Sequence, residues 1–252
     1  MKCEAVIPYQ PTAWVADTPF LLWEIGQRLL IEHWLENLFR SNAELNIWLE
    51  APDEALFTFV CDTFPLNRHV QVQVGAPKSP PEACVFFDAN GNSIIRRGPR
   101  LTSYLPRQAA TKTWFAIVKR WLAELHTTGT QVPELEKQIA PGVFVGHHCI
   151  ISPDTKFIAP CWVGSGATIR GASIGPNVVI GEGAVVTRGA TLTESYVLRH
   201  SVVGPDLQLN GIVVGPHRSL VIATGAHIQL KPGVAATTTL PATAEQPANE
   251  KL

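Results

Sequence analysis

The chain has 252 residues, 46% of them hydrophobic and 16% charged, with a formal net charge of −1. That composition supports a folded core and excludes a disordered chain. A near-neutral chain with no basic run argues against nucleic acid or an anionic membrane as the main partner.

Residues 1–108 read as alternating strands and helices. "KCEAVIP" is a short apolar strand, and "RLLIEHWLENLF" places Leu29, Leu30, His33, Trp34 and Phe39 at helical spacing. "LNIWLE" reads as a second strand, and "PDEALFTFVCDTF" as a helix opened by Pro52 and two acids. "HVQVQV" alternates as a third strand, and "ACVFFD" is a further strand closed by "ANGNS", where Asn-Gly signals a tight turn. The β-α-β-α-β order predicts an α/β layer with a largely parallel sheet, a half-Rossmann type. Residues 109–138 form a connecting helix and linker, with Trp114, Ile117, Val118, Trp121 and Leu125 on one face and Gly129 as a stop. Residues 229–252 are rich in Ala, Thr and Pro and are expected to be disordered. The five cysteines (Cys3, Cys61, Cys84, Cys149, Cys161) contain no C-x-x-C, which favours free thiols. With no apolar signal run at the start and no segment long enough to span a bilayer, a cytoplasmic protein is expected.

Residues 139–228 count in sixes. The positions are Ile139, Val145, Ile151, Phe157, Val163, Ile169, Ile174, Ile180, Val186, Leu192, Leu198, Val203, Leu209 and Val214, with the step shortened to five before Ile174, Val203 and Val214. Gly-Pro follows each of those three and is expected to absorb the missing residue; between Ile151 and Val163, Ile158 competes with Phe157 for the inward position. Helices repeat near 3.6 and half-buried strands at 2, so neither explains the pattern. Six residues make one short strand and one turn, and three such units close a triangular coil. Stacked coils hydrogen-bond as parallel strands about 4.8 Å apart. The pattern is that of a hexapeptide-repeat β-helix of about five coils. Gly after the inward residue, as in "VG" and "IG", sits where a Cβ would crowd.

"SIGPNVVIGEGAVV" followed by "SYVLRHSVVGPDLQLNGIVVG" resembles the C-terminal domain of bacterial sugar-1-phosphate nucleotidylyltransferases, within the hexapeptide-repeat superfamily. The resemblance implies a left-handed parallel β-helix after an α/β nucleotidyltransferase domain, and "TPFLLWEIGQRLLIEHWLENLF" is similar to a stretch of that domain. The family opens with a Gly-rich, Arg-bearing loop that holds nucleotide phosphates. Here that place reads "IPYQPTAWVADTPF", without Gly, Arg or Lys. The family's Pro-Lys is Pro19-Phe20, its Gly-Lys-Pro is Gly26-Gln27-Arg28, and of its metal-binding Gly-Asp only Asp88 remains. The expected N-terminal domain is therefore a shortened, degenerate relative.

Candidate chemistry lies with the histidines. His33 and His126 sit in helical segments, whereas His147, His148, His200, His217 and His227 belong to the coil region. Stacking three units per coil puts His147, Ser165, Glu182, His200 and Pro216 in one column and His148, Gly166, Gly183, Ser201 and His217 in the next. Glu182 and His200 then lie one coil apart, about 4.8 Å between backbones, where a carboxylate fixes and strengthens an imidazole base. His200, Glu182 and His147 are the acyltransferase candidates, with acyl-CoA as donor; the same residues read equally as polar turn positions. Adjacent His147 and His148 do not give zinc-ligand spacing, and Asp88 is the one Mg²⁺ candidate, needed only if nucleotidyl transfer remains. The leading expectation is a nucleotidylyltransferase-like binding, scaffold or regulatory subunit with no cofactor. Its partners are further copies of itself (a trimer), a sugar-nucleotide ligand or an enzyme, with no nucleic acid and no membrane span. The alternatives are a hexapeptide acyltransferase and residual nucleotidylyl transfer.

Overall fold

A computed structural model describes residues 2–7, 23–26, 28–30, 44–49, 70–74, 83–87, 93–97, 107–128 and 137–228. Two compact units, Met1–Trp121 and Leu122–Leu252, divide the chain within a helix. In the first unit β1 (Lys2–Ile7), β4 (Glu44–Leu49) and β5 (Val70–Val74) form a parallel sheet in the order β1-β4-β5. All three are strands expected from the sequence. The expected helix over 52–64 and the tail 229–252 lie outside the described residues.

The helix expected to begin at Arg28 does not begin there. Arg28–Leu29 is a short strand (β3) paired antiparallel with Glu24–Ile25 (β2), and Gly26 takes φ +64° at their turn. A Cβ at Gly26 would overlap the Trp121 ring, so this glycine answers to a turn and a close approach. The Asn-Gly signal is met by a hairpin of β6 (Ala83–Phe87) and β7 (Ser93–Arg97). Helix α1 (Arg107–Thr128) buries Trp114, Phe115, Ile117, Val118, Leu122 and Leu125. Trp114 Nε1 donates to the Glu24 carbonyl at 3.1 Å, and its ring meets Trp23 edge-on at 5.2 Å. Among the described residues no helix is long and apolar enough to cross a membrane.

The second unit contains a parallel β-solenoid of about four turns. Its first face stacks Ile150–Ile151, Thr168–Ile169, Val185–Val186 and Val202–Val203. The second stacks Lys156–Phe157, Ser173–Ile174, Thr191–Thr193 and Gln208–Asn210. The third carries five parallel strands, Val143–Val145, Cys161–Val163, Val178–Ile180, Tyr196–Val197 and Ile212–Val214. Antiparallel Lys137–Ala140 closes one edge of this face, and Ser219–Val221 with His227–Ile228 closes the other. The count of about five coils therefore reduces to about four, because only the third face gains a fifth strand.

The six-residue count locates the core. Val163, Ile169, Ile174, Ile180, Val186 and Leu192 are inward and fully buried, in one cluster with the small corner residues Ala167, Ala172, Ala184 and Ala190. Phe157 packs against that cluster and Ile158 is 51% exposed, which settles their competition. Two positions need correction. Ile139 is 45% exposed on the antiparallel edge strand, so the first coil starts at Val143. Leu198 is not the inward residue of its unit: Val197 pairs with Ile180 and with Val214 and is fully buried.

The shortened steps are thus Ile169 to Ile174, Leu192 to Val197 and Leu209 to Val214, and Gly-Pro does not explain them. Each has a left-handed residue two positions after the inward one: Gly171 at φ +53°, Glu194 at +47° and Gly211 at +67°. At the unshortened corners of His148, Gly166, Gly183, Gly189, His200 and Asp206 the left-handed residue falls three positions after the inward one, so the shortened corners make the same turn one residue earlier.

Candidate functional site

The corner between the third and first faces, hereafter the first corner, carries the candidate residues. It is built from Gly146–Cys149, Gly164–Ala167, Gly181–Ala184 and Leu198–Ser201. Each turn holds its third residue left-handed: His148 at φ +56°, Gly166 at +70°, Gly183 at +62° and His200 at +55°. Backbone bonds tie turn to turn, Gly166 N to His147 O at 2.8 Å, Gly183 N to Ser165 O at 2.9 Å and His200 N to Glu182 O at 2.8 Å.

The shift from Leu198 to Val197 rearranges the expected columns. One column holds His147, Ser165, Glu182 and Arg199; the other holds His148, Gly166, Gly183 and His200. Glu182 and His200 remain backbone neighbours on adjacent coils, but their side chains spring from different columns. The His200 ring occupies the space beside Gly183, where a Cβ would fall 2.5 Å from its Nδ1. Pro216 and His217 leave the stack altogether. They lie in the turn closed by Gly215 N donating to Arg218 O at 2.9 Å, where the chain reverses from Val214 to Ser219.

His147, His148, Glu182 and His200 are all exposed. The rings of His147 and His148 stand 6.1 Å apart, and His147 N donates to Ser165 Oγ at 3.2 Å. Beneath them the Cys149 thiol donates to the Gly164 carbonyl at 3.1 Å. Burial pushes this thiol above its usual value, partly offset by the Ala167 and Gly166 amides, which favour the thiolate. The corner can therefore offer imidazoles, one carboxylate and one guanidinium to a ligand in solvent.

Arg199 is the residue that sequence reasoning missed. Coils measured from Val145 to Val163, Ile180, Val197 and Val214 run 18, 17, 17 and 17 residues. The Leu198 register required 18 and then 16, so a demand for even coils was the available signal. Asp88, His33 and His69 lie outside the described residues. His126 sits exposed near the end of α1, over Gly142, while His227 is exposed on the last short strand. Among the described residues no group of three or more His, Cys, Asp or Glu is placed to hold a metal ion. No family model and no curated protein matches the chain.

Proposed function

We propose that the chain is a sugar-nucleotidylyltransferase-like protein without transfer chemistry, a shortened half-Rossmann domain followed by a left-handed β-helix. It serves as a cytoplasmic binding, scaffold or regulatory subunit in sugar-nucleotide or envelope metabolism. A homo-oligomer, trimeric by the resemblance, belongs to the same reading.

The observation that carries it is the register of the first corner. A general base for acyl transfer needs a neighbour that fixes its tautomer. His200 instead rests on Gly183, and Glu182 stands in the column that runs on to Arg199. The corner is then a set of exposed polar turn residues on a rigid ladder, which suits docking. The N-terminal stretch "IPYQPTAWVADTPF" supports the same reading, because it brings no cation to a triphosphate.

The test is turnover by the full chain. With a sugar-1-phosphate, each nucleoside triphosphate and Mg²⁺, pyrophosphate is expected at the enzyme-free rate. Release above that rate, abolished by Asp88→Asn, would overturn the reading in favour of residual nucleotidylyl transfer. The acyltransferase rival is favoured by one fact, that His147, His148, Glu182 and His200 are exposed on a single corner. It requires a folded His200→Ala variant to lose acyl transfer.

A further inference from the structure

The first corner begins with two histidines in a row, His147 and His148, both exposed. In a strand, neighbouring side chains point to opposite faces and do not share a ligand. The turn removes that alternation. His148 is left-handed at φ +56°, and the two rings stand 6.1 Å apart at 48° to one another.

That separation has a chemical meaning. An imidazole nitrogen binds a transition cation at about 2.0–2.1 Å, which puts the ion about 3.2 Å from the ring centre. Two imidazoles on one ion therefore have centres about 4.5 Å apart at a right angle and about 6.4 Å apart when opposite. At 6.1 Å, His147 and His148 already lie within the span that one shared ion sets. The backbone beneath them is tied to the next coil. His147 N donates to Ser165 Oγ at 3.2 Å, and His147 O accepts from Gly166 N at 2.8 Å. Gly166, next in the column of His148, leaves space beside the pair, for a Cβ built on it would meet nothing nearer than 4.0 Å. His200 differs, because its ring fills the equivalent space at Gly183.

We propose that His147 and His148 form a site for a first-row transition cation of the Ni²⁺, Cu²⁺ and Zn²⁺ class. Imidazole suits these ions, whereas Mg²⁺ and Ca²⁺ take oxygen ligands. The site has two protein ligands. Among the described residues no third His, Cys, Asp or Glu completes a group with them. The Cys149 thiol packs on the core side and donates to the Gly164 carbonyl. Water fills the remaining positions, so the ion is exchangeable and open to a further ligand. The site goes beyond the docking reading above and needs neither nucleotide nor acyl chemistry.

Calorimetric titration of the untagged full chain with Ni²⁺, which does not oxidise thiols as Cu²⁺ does, tests the site. One tight equivalent of Ni²⁺ is expected, and excess Mg²⁺ should not compete. His147→Ala and His148→Gly should each weaken binding by at least the roughly tenfold that losing an outer-shell partner costs. Glycine suits the left-handed position, as at Gly166 and Gly183, so His148→Gly keeps the fold. His227→Ala, on the last short strand, should leave binding unchanged. In proton spectra, substoichiometric Ni²⁺ should broaden the ring signals of His147 and His148 before those of the other histidines. Unchanged binding in either His147→Ala or His148→Gly would overturn the proposal, as would an equal loss in His227→Ala. So would first broadening at His200, or no uptake of Ni²⁺ at all.

Discussion

Gly146, Gly164 and Gly181 follow the inward Val145, Val163 and Ile180 at the first corner. None needs a positive φ; a Cβ on them would fall 2.6, 2.7 and 2.5 Å from backbone nitrogen of the next coil. These glycines exist to let coils approach. Gly164→Ala is therefore expected to cost about 1–3 kcal/mol in a urea melt, as overpacking against backbone does. Leu198 occupies the same position in the last coil, where the chain turns back instead of stacking another corner. A leucine fits there, and its presence misled the count by one residue. Local hydrophobicity could not tell Val197 from Leu198; even coil lengths and the absence of an overlying coil do. Cys161 illustrates burial at the same scale. Its thiol is fully buried and burial pushes its pKa up to about 12. The native state then keeps a proton that the unfolded chain releases, so its contribution is complete below about pH 9 and lost toward pH 12. Between pH 8 and pH 11 wild type should lose roughly 2–3 kcal/mol more than Cys161→Ala, read from urea midpoints. Equal losses would contradict the burial.

At the scale of elements, the solenoid was the most legible part because its period has one cause. Every sixth residue meets its equivalent in the next coil, so Ile169, Ile174, Ile180, Val186 and Leu192 announce the core before any pairing is known. Ile180→Ala should cost about 2–5 kcal/mol, since a fully buried side chain leaves a cavity that stacked neighbours cannot collapse into. Val202→Ala, on the outward side of the same ladder, should change stability by less than about 1 kcal/mol. The strands of the N-terminal unit were also readable, from alternation in "VQVQV" and from short apolar runs. The hairpin at Glu24–Leu29 was not, because "RLLIEHWLENLF" has helical spacing and the constraint comes from Gly26 against Trp121. Only the start of that helical pattern is displaced: Leu30 is helical, and residues 31–39 lie outside the described residues.

At the scale of the whole molecule, the candidate site was legible in its members more than in its geometry. His147, Glu182 and His200 do share one corner, as their spacing suggested, but a one-residue shift moved His200 off the column of Glu182 and brought in Arg199. The proposed function turns on that shift, because a base paired with Glu182 would suit acyl transfer and a row of separate polar residues suits docking. The most direct measurement is thermal unfolding of the full chain with acyl-CoAs beside nucleotide sugars, followed by acyl transfer in wild type and His200→Ala. A tight ligand of the folded state contributes about 2.7 kcal/mol at a hundredfold excess over Kd, which raises the Tm of a chain this size by roughly 5–10 °C. For a docking platform, acyl-CoA leaves Tm unchanged and no acyl group is transferred. A rise of that size with acyl-CoA, together with transfer lost in a folded His200→Ala, would make the corner an active site and contradict the platform.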